Sequence, residues 1–273
     1  MAHSGFVDTG RAVLAMAGAD ARTVLQDVVT NNVERAVDGN AVYSALLTPQ
    51  GKYLFDFFMV PSGSSPDAPL LIDVAADRAE ALAARLRMYF IRRDAAIGVV
   101  KVEVAMIWGD GEPDIAGAIV VADPRDPSLG WRAYGQGMVL DGIAHGEREA
   151  YDALRISAQV PASGIELVPD DTYILEAGFE RLDGVDFRKG CYVGQEVTAR
   201  MKHKTTLRKG LVRVTVTGDA APGTPIIANG KPVGTLFSAS DGAGLAHLRF
   251  DRAGAGMQAG DAVVDFVPEA DAD

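Results

Sequence analysis

The chain is poor in the groups that build metal centres and covalent frameworks: 273 residues hold one cysteine and four histidines. A single cysteine excludes an internal disulfide, and it cannot complete a tetrahedral zinc site with histidines that lack ligand spacing among themselves. Nor can it hold an iron-sulfur cluster alone, since a standard cluster takes about four thiolates. No apolar run reaches the roughly 18 residues that a membrane span needs. The N-terminus, with His3, Asp8 and Arg11 scattered through it, lacks the cationic start and apolar block of a secretion signal. The location read from these absences is a reducing cytoplasm, and they argue against an uncleaved organelle precursor. There is no Gly-x-Ser-x-Gly elbow and no phosphate-binding loop. The run Gly254-Ala-Gly256-Met-Gln-Ala259 matches a dinucleotide fingerprint, but too little chain follows it for the βαβ unit that gives the pattern meaning.

What is present is concentrated in one stretch. The only cysteine lies in Lys189-Gly190-Cys191-Tyr192-Val193-Gly194-Gln195-Glu196, between two glycines and behind two cations, Arg188 and Lys189. The residues after Gly194 read as a helix opening, so positive partial charges would face the sulfur, a setting that favours the thiolate. A lone cysteine is more often a small buried hydrophobe; these flanks favour a working thiol with Lys189 beside it. From Arg188 to Lys209 there are seven cations and one acid, a formal +6 in a chain of net charge −11. A local positive field in an acidic protein suits an anionic ligand held at one place and disfavours duplex DNA or bulk RNA.

Hydrophobic content of 48% with 23% charged residues is that of a soluble globular protein. Periodicity predicts a strand over 11–17, a helix capped by Asp20 with Val24, Leu25, Val28 and Val29 on one face, and a hairpin of 42–47 and 53–60. A Ser- and Pro-rich loop follows, then a strand over 70–74, a helix with Leu82, Leu86, Tyr89 and Phe90 on one stripe, and a long strand over 97–108. This β-α-β-β-α-β order suggests a ferredoxin-like α+β unit. Residues 109–130 read as irregular connection and 147–160 as helix. From Leu207 onward, short alternating strands split by glycine turns predict a small β-barrel.

The signature string, followed by Arg200, resembles that of the YgfZ-type folate-binding proteins of iron-sulfur cluster assembly and repair, which are similar in fold to the glycine-cleavage T-protein, a tetrahydrofolate-dependent aminomethyltransferase. Gly18-Ala-Asp-Ala, Val24-Leu25-Gln26, Thr30-Asn31-Asn32-Val33 and Gly51-Lys52-Tyr53-Leu54-Phe55-Asp56 resemble further segments of both relatives. The resemblance implies an α+β fold: two interleaved ferredoxin-like units around a central cavity over 1–206, closed by a C-terminal β-barrel over 207–273. It implies tetrahydrofolate or a one-carbon derivative as ligand, with Asp56, Arg155, Tyr192, Gln195, Glu196 and Arg200 as candidate folate contacts and Cys191 with Lys189 as the working pair. Where the T-protein carries Arg-x-Glu, this chain reads Arg155-Ile156-Ser157, which puts T-protein-like chemistry and tight pterin binding in doubt. The expected role is help in assembling or repairing clusters of client enzymes, tRNA-modifying ones among them. Iron-sulfur enzymes or cluster carriers are its transient partners, and the chain is a monomer without a resident metal. A folate-dependent one-carbon transferase built on Asp56, and a non-catalytic adaptor for iron-sulfur enzymes, are the competing readings.

Overall fold

The computed structural model describes residues 3–65 and 68–267. The chain opens with β1 (Ser4–Val7) and β2 (Arg11–Ala17), then α1 (Ala21–Val28), β3 (Val42–Leu47), β4 (Tyr53–Pro61), β5 (Leu70–Ala75), α2 (Ala79–Arg87) and β6 (Ala96–Val100). It continues through β7 (Glu103–Trp108), β8 (Ile119–Ala122), β9 (Trp131–Gly135), β10 (Ala144–His145), α3 (Arg148–Ser157) and α4 (Gln195–Lys204). The last part is β11 (Lys209–Thr217), β12 (Thr224–Ala228), β13 (Lys231–Ser240), β14 (Ala243–Arg249), β15 (Met257–Ala259) and β16 (Ala262–Asp265). Strands β3-β4-β5-β2-β6 make one five-stranded sheet, β10-β1-β7-β9-β8 a second, and β11-β14-β13-β12-β15-β16 a closed barrel. The two sheets exchange segments: β1 leaves its sequence neighbours to pair with β7, antiparallel, in the second sheet.

Strand β4 shows why the sheets lie back to back. Its alternation sends Phe55, Phe57 and Met59 into a core shared with α1 and α2, and Phe58 and Val60 into a core shared with the second sheet. Both faces are covered, so the strand reads as a nearly continuous apolar run. Each buried ring stabilises the fold by ~1.5–3 kcal/mol relative to exposure. Helix α1 buries Ala21, Val24, Leu25 and Val28 against the same sheet. Its expected cap differs, because the Asp20 carboxylate accepts the backbone N–H of Asp94 (2.8 Å) instead of one from its own helix.

Three sequence expectations are corrected. The long strand over 97–108 is two strands in different sheets, broken at Lys101-Val102. Alternation of period two runs unchanged through a sheet change, so the pattern could not show the break. The stripe placed on the second helix outlasts it: α2 ends at Arg87, and Tyr89 and Phe90 pack from the turns beyond. The stretch over 109–130 is not wholly irregular, since it contains β8.

Candidate functional site

The signature loop hangs from the N-terminal motif. Thr30 and Asn31 are fully buried where the chain enters β3, and buried polar groups need partners. Thr30 Oγ1 donates to the carbonyl of Gly184 (2.7 Å) and Asn31 Nδ2 to those of Tyr43 (2.8 Å) and Asp183 (2.6 Å). The N–H of Asp186 returns a bond to the Thr30 carbonyl (3.1 Å). Residues 183–186 are thereby tied to the first sheet immediately before the signature begins.

Lys189 is the next anchor. Its Nζ donates to the carbonyls of Gln26 (2.6 Å) and Val29 at the C-terminal end of α1, where unpaired carbonyls and the helix dipole favour a cation. Gln26 Nε2 donates back to the Lys189 carbonyl (3.3 Å). Lys189 therefore has a role at a helix end that the sequence did not suggest, and no contact joins its ammonium to the sulfur. Burial lowers its pKa to about 8, against the opposing pull of Asp27 and Asp186. The folded chain releases this proton before the unfolded chain does, so between about pH 8 and the ordinary lysine value of 10.5 the unfolded state binds more protons and this group's contribution to stability rises with pH. Urea unfolding of wild type and Lys189→Met should show a stability difference that moves in favour of the wild type from pH 7.5 to pH 10. A pH-independent difference would contradict the assignment.

Tyr192 is the anchor on the other side, with its ring in the core beside the second sheet. Burial pushes its hydroxyl up to about 12, although a hydrogen bond with Thr198 opposes the shift. Between these anchors Cys191 is exposed. Helix α4 then starts at Gly194, whose φ of +85° suits glycine. A Cβ there would lie 2.6 Å from the Thr48 carbonyl oxygen, and one on Gly51 would lie 2.8 Å from Val197 Cβ. The β3–β4 turn and the start of α4 thus touch backbone to backbone, which joins two of the segments that carried the resemblance. Gln195 serves this turn: its Oε1 accepts the N–H of Tyr192 (3.3 Å). Glu196 and Arg200 are exposed on α4. The cation run is spread along an outer face rather than gathered into a pocket: Lys202 pairs with Glu180 and Lys209 with Glu176.

Asp56 is 3% exposed on β4, not at a water-facing strand end. Oδ1 accepts the hydroxyls of Tyr53 (2.7 Å) and Ser163, and Oδ2 that of Tyr43 (3.1 Å). Burial first, then the Asp56 charge, raises the pKa of both tyrosines, so they stay donors. The hairpin register foretells part of this cluster, because pairing of Ala45 with Asp56 makes Tyr43 a diagonal neighbour on the same face; Ser163 has no local signal. Arg155 on α3 belongs to a different cluster. It donates to Asp152 (2.7 Å), to Glu166 (3.2 and 3.3 Å) and to Ser238 Oγ of the barrel (3.0 Å), clamping α3 to β13. Glu166, which sequence reasoning missed, also accepts the Ala162 N–H (2.9 Å). The candidate folate residues therefore fall into three separate settings: Asp56 inside, Arg155 at the barrel, and the rest on the signature loop and α4.

A buried ion network, also unforeseen, joins the two sheets. Asp73 on β5 accepts from Arg11 (2.6 Å), Arg132 (2.8 Å) and the Tyr134 hydroxyl (2.8 Å). Asp123 accepts from Arg132 (2.9 Å) and Arg125 (2.8 and 2.9 Å). Burial works to raise the Asp123 pKa, but the two guanidiniums outweigh it and hold the carboxyl below its ordinary range. Arg132 Cζ lies 3.8 Å from the centre of the Phe58 ring, and Arg125 lies over both Phe58 and Tyr43. Through Tyr43 the network reaches Asp56, so three guanidiniums stand with three carboxylates.

The chain is similar to several known proteins. Residues 208–271 match the CAF17 C-terminal β-barrel domain. The chain is 31% identical over 227 residues, covering 75% of it and 52% of the relative, to the mitochondrial iron-sulfur cluster assembly factor IBA57 homolog of Neurospora crassa. It is 29% identical over 270 residues, covering 88% of it and 75% of the relative, to mitochondrial IBA57 of Homo sapiens. It spans about half the length of the Neurospora, Pyricularia and Mycosarcoma relatives it matches. The glycine cleavage system aminomethyltransferase T of Bartonella henselae superposes with a TM-score of 0.76 at 14% identity over 96% of this chain and 84% of that one. Two expectations change. The cytoplasmic reading is corrected, since the names of the Neurospora, Pyricularia, human and mouse relatives point to the mitochondrion; it rested on absent sequence patterns, from which no location follows. The named relatives are also IBA57 proteins, of which the YgfZ type is a related family. The chain has the glycine-cleavage T-protein fold with a barrel of CAF17 type, and in sequence it is similar to the IBA57 iron-sulfur cluster assembly factors.

Proposed function

We propose that this protein assists the assembly or repair of iron-sulfur clusters in client proteins, with Cys191 as its working group. The observation that carries the reading is the exposed thiol held between two fixed neighbours, Lys189 at the end of α1 and Tyr192 in the core. That loop sits in a chain similar to proteins named as iron-sulfur cluster assembly factors. The sulfur supplies one ligand and a partner must supply the others, because about four are needed. Lys189, Tyr192 and Gly194 set the direction in which the sulfur is offered. The cations of α4 that have no acidic partner among the described residues, Arg200 and Lys204, suit transient contact with an acidic cluster carrier.

Tetrahydrofolate is part of the proposal on the resemblance alone. Two of the residues expected to hold it are engaged by other side chains, Asp56 by three hydroxyls and Arg155 by Glu166 and Asp152. They do not present an open folate site in this conformation, and no chemical step is routed through folate. The transferase reading weakens for the same reason, because Asp56 offers no unengaged carboxylate oxygen to a reacting amine.

The test is complementation of a strain lacking its own homologue, scored by iron-sulfur enzyme activity, with wild type and Cys191→Ser expressed equally. Cys191→Ser should fall to the level of the empty strain with an unchanged unfolding midpoint, since the side chain is exposed. Full rescue by the serine variant would overturn the role of the thiol. Calorimetry with tetrahydrofolate separates the ligand from the thiol: one-to-one binding that weakens with salt supports the folate part, and no heat at millimolar ligand removes it.

A further inference from the structure

A cleft of about 510 Å³ runs between α3 and β13, within the range of small-molecule sites. It lies apart from Cys191 and from the central ion network. Tyr151 of α3 turns toward Arg125 and the interior. Glu149, Asp152 and Ile156, spaced three and four residues apart on the same helix, line the cleft. Ile156, Ile165, Pro222 and Phe237 form apolar walls, and Ile165, 41% exposed, leaves apolar surface along the opening.

The net charge of the cleft lining is negative. Arg155 reaches it, but its guanidinium is already held by Asp152, Glu166 and Ser238. Glu149 has no hydrogen-bond or ion-pair partner among the described residues. Of the charged residues that line the cleft, Glu149 and Asp152 against Arg155 leave a formal −1 beside apolar walls, and the buried Glu166 behind them takes up more of the Arg155 charge. An anion would find no unengaged donor group on Arg155 and would face the Glu149 carboxylate.

We propose that this cleft binds a small organic cation, an amine on a short aromatic or aliphatic body, with the ammonium between Glu149 and Asp152 and the body against Ile156, Ile165 and Phe237. Because α3 belongs to the sheet-bearing body and β13 to the barrel, such a ligand braces their junction.

The experiment uses the whole chain with isotope-labelled isoleucine methyls and three probes of one shape: 3-phenylpropylamine, 3-phenylpropan-1-ol and 3-phenylpropanoate. The amine should shift the Ile156 and Ile165 methyls saturably and raise the thermal midpoint. The carboxylate should bind about tenfold more weakly or worse, as one partly screened charge contact reversed in sign allows. Glu149→Gln should weaken the amine about three- to tenfold and leave the alcohol unchanged. Equal affinity for all three probes, shifts confined to other methyls, or no saturable shift up to about 10 mM amine would each overturn the proposal.

Discussion

Arg132→Met should destabilise the protein by about 3–5 kcal/mol, the cost of removing one partner from a buried ion network. The guanidinium is 2% exposed and bonds two carboxylates that are themselves fully buried. Methionine fills much of the space over Phe58 but leaves Asp73 to Arg11 and Tyr134, and Asp123 to Arg125 alone. Those surviving partners place the effect toward the lower end of the range. The pH dependence follows from Asp123. Its folded pKa is depressed, so its contribution to stability is present above the unfolded value and is lost as pH falls through the folded one. The deficit of the variant should be largest at neutral pH and should narrow in acid. Asp123→Asn added to Arg132→Met should recover part of the loss, because a neutral amide needs no cation. Urea unfolding at two pH values checks all three statements, and a single variant with the wild-type midpoint would contradict them.

Gly194→Ala should cost about 2–4 kcal/mol, the sum of left-handed backbone strain and overpacking. The residue has φ +85°, and the new methyl would meet the Thr48 carbonyl at 2.6 Å and Leu47 Cβ at 3.0 Å, atoms of a buried strand end that cannot retreat cheaply. Gly190→Ala is the matched control. Its φ is +98°, but a methyl there meets nothing within 4 Å, so only the backbone term of ~1–2 kcal/mol remains. If the close approach positions the thiol, Gly194→Ala should also impair complementation more than Gly190→Ala does at equal expression. Equal stability losses for the two variants would show that packing against the β3–β4 turn is unimportant.

Much of the scaffold is legible in the chain because its signals are local. The apolar face of α1, the β3–β4 hairpin across its glycine turn and the glycine-punctuated barrel strands all follow from spacing within about ten residues. Strand β14 is harder to read: Ala243-Gly244-Leu245-Ala246-His247-Leu248-Arg249 has no β-branched residue, and pairing with β11 and β13 makes it a strand. The site divides the same way. A lone cysteine between glycines and cations can be seen in sequence, but Lys189 reaches carbonyls of Gln26 and Val29 far back in the chain. Asp73, Asp123 and Arg132 become partners only because β5 and β9 face each other across two sheets. Glu166 meets Arg155 through a loop without periodicity. Interactions that depend on which sheets are stacked leave no periodic trace.

The early departure of β1 to the second sheet bears on how the protein is made. Strands β2 to β6 with α1 and α2 are contiguous from Arg11 to Val100, so a ribosome can release this module ready to collapse while β1 still has no neighbour. The N-terminal strand must wait for β7, and closing that long loop is slow compared with local pairing. Lys189 docks on α1 later still, at a sequence separation of 163 residues from Gln26. During synthesis, therefore, the cysteine emerges on an unanchored segment and acquires its fixed outward presentation only after both sheets exist. A chain stalled before that point carries the thiol but not the geometry that directs it.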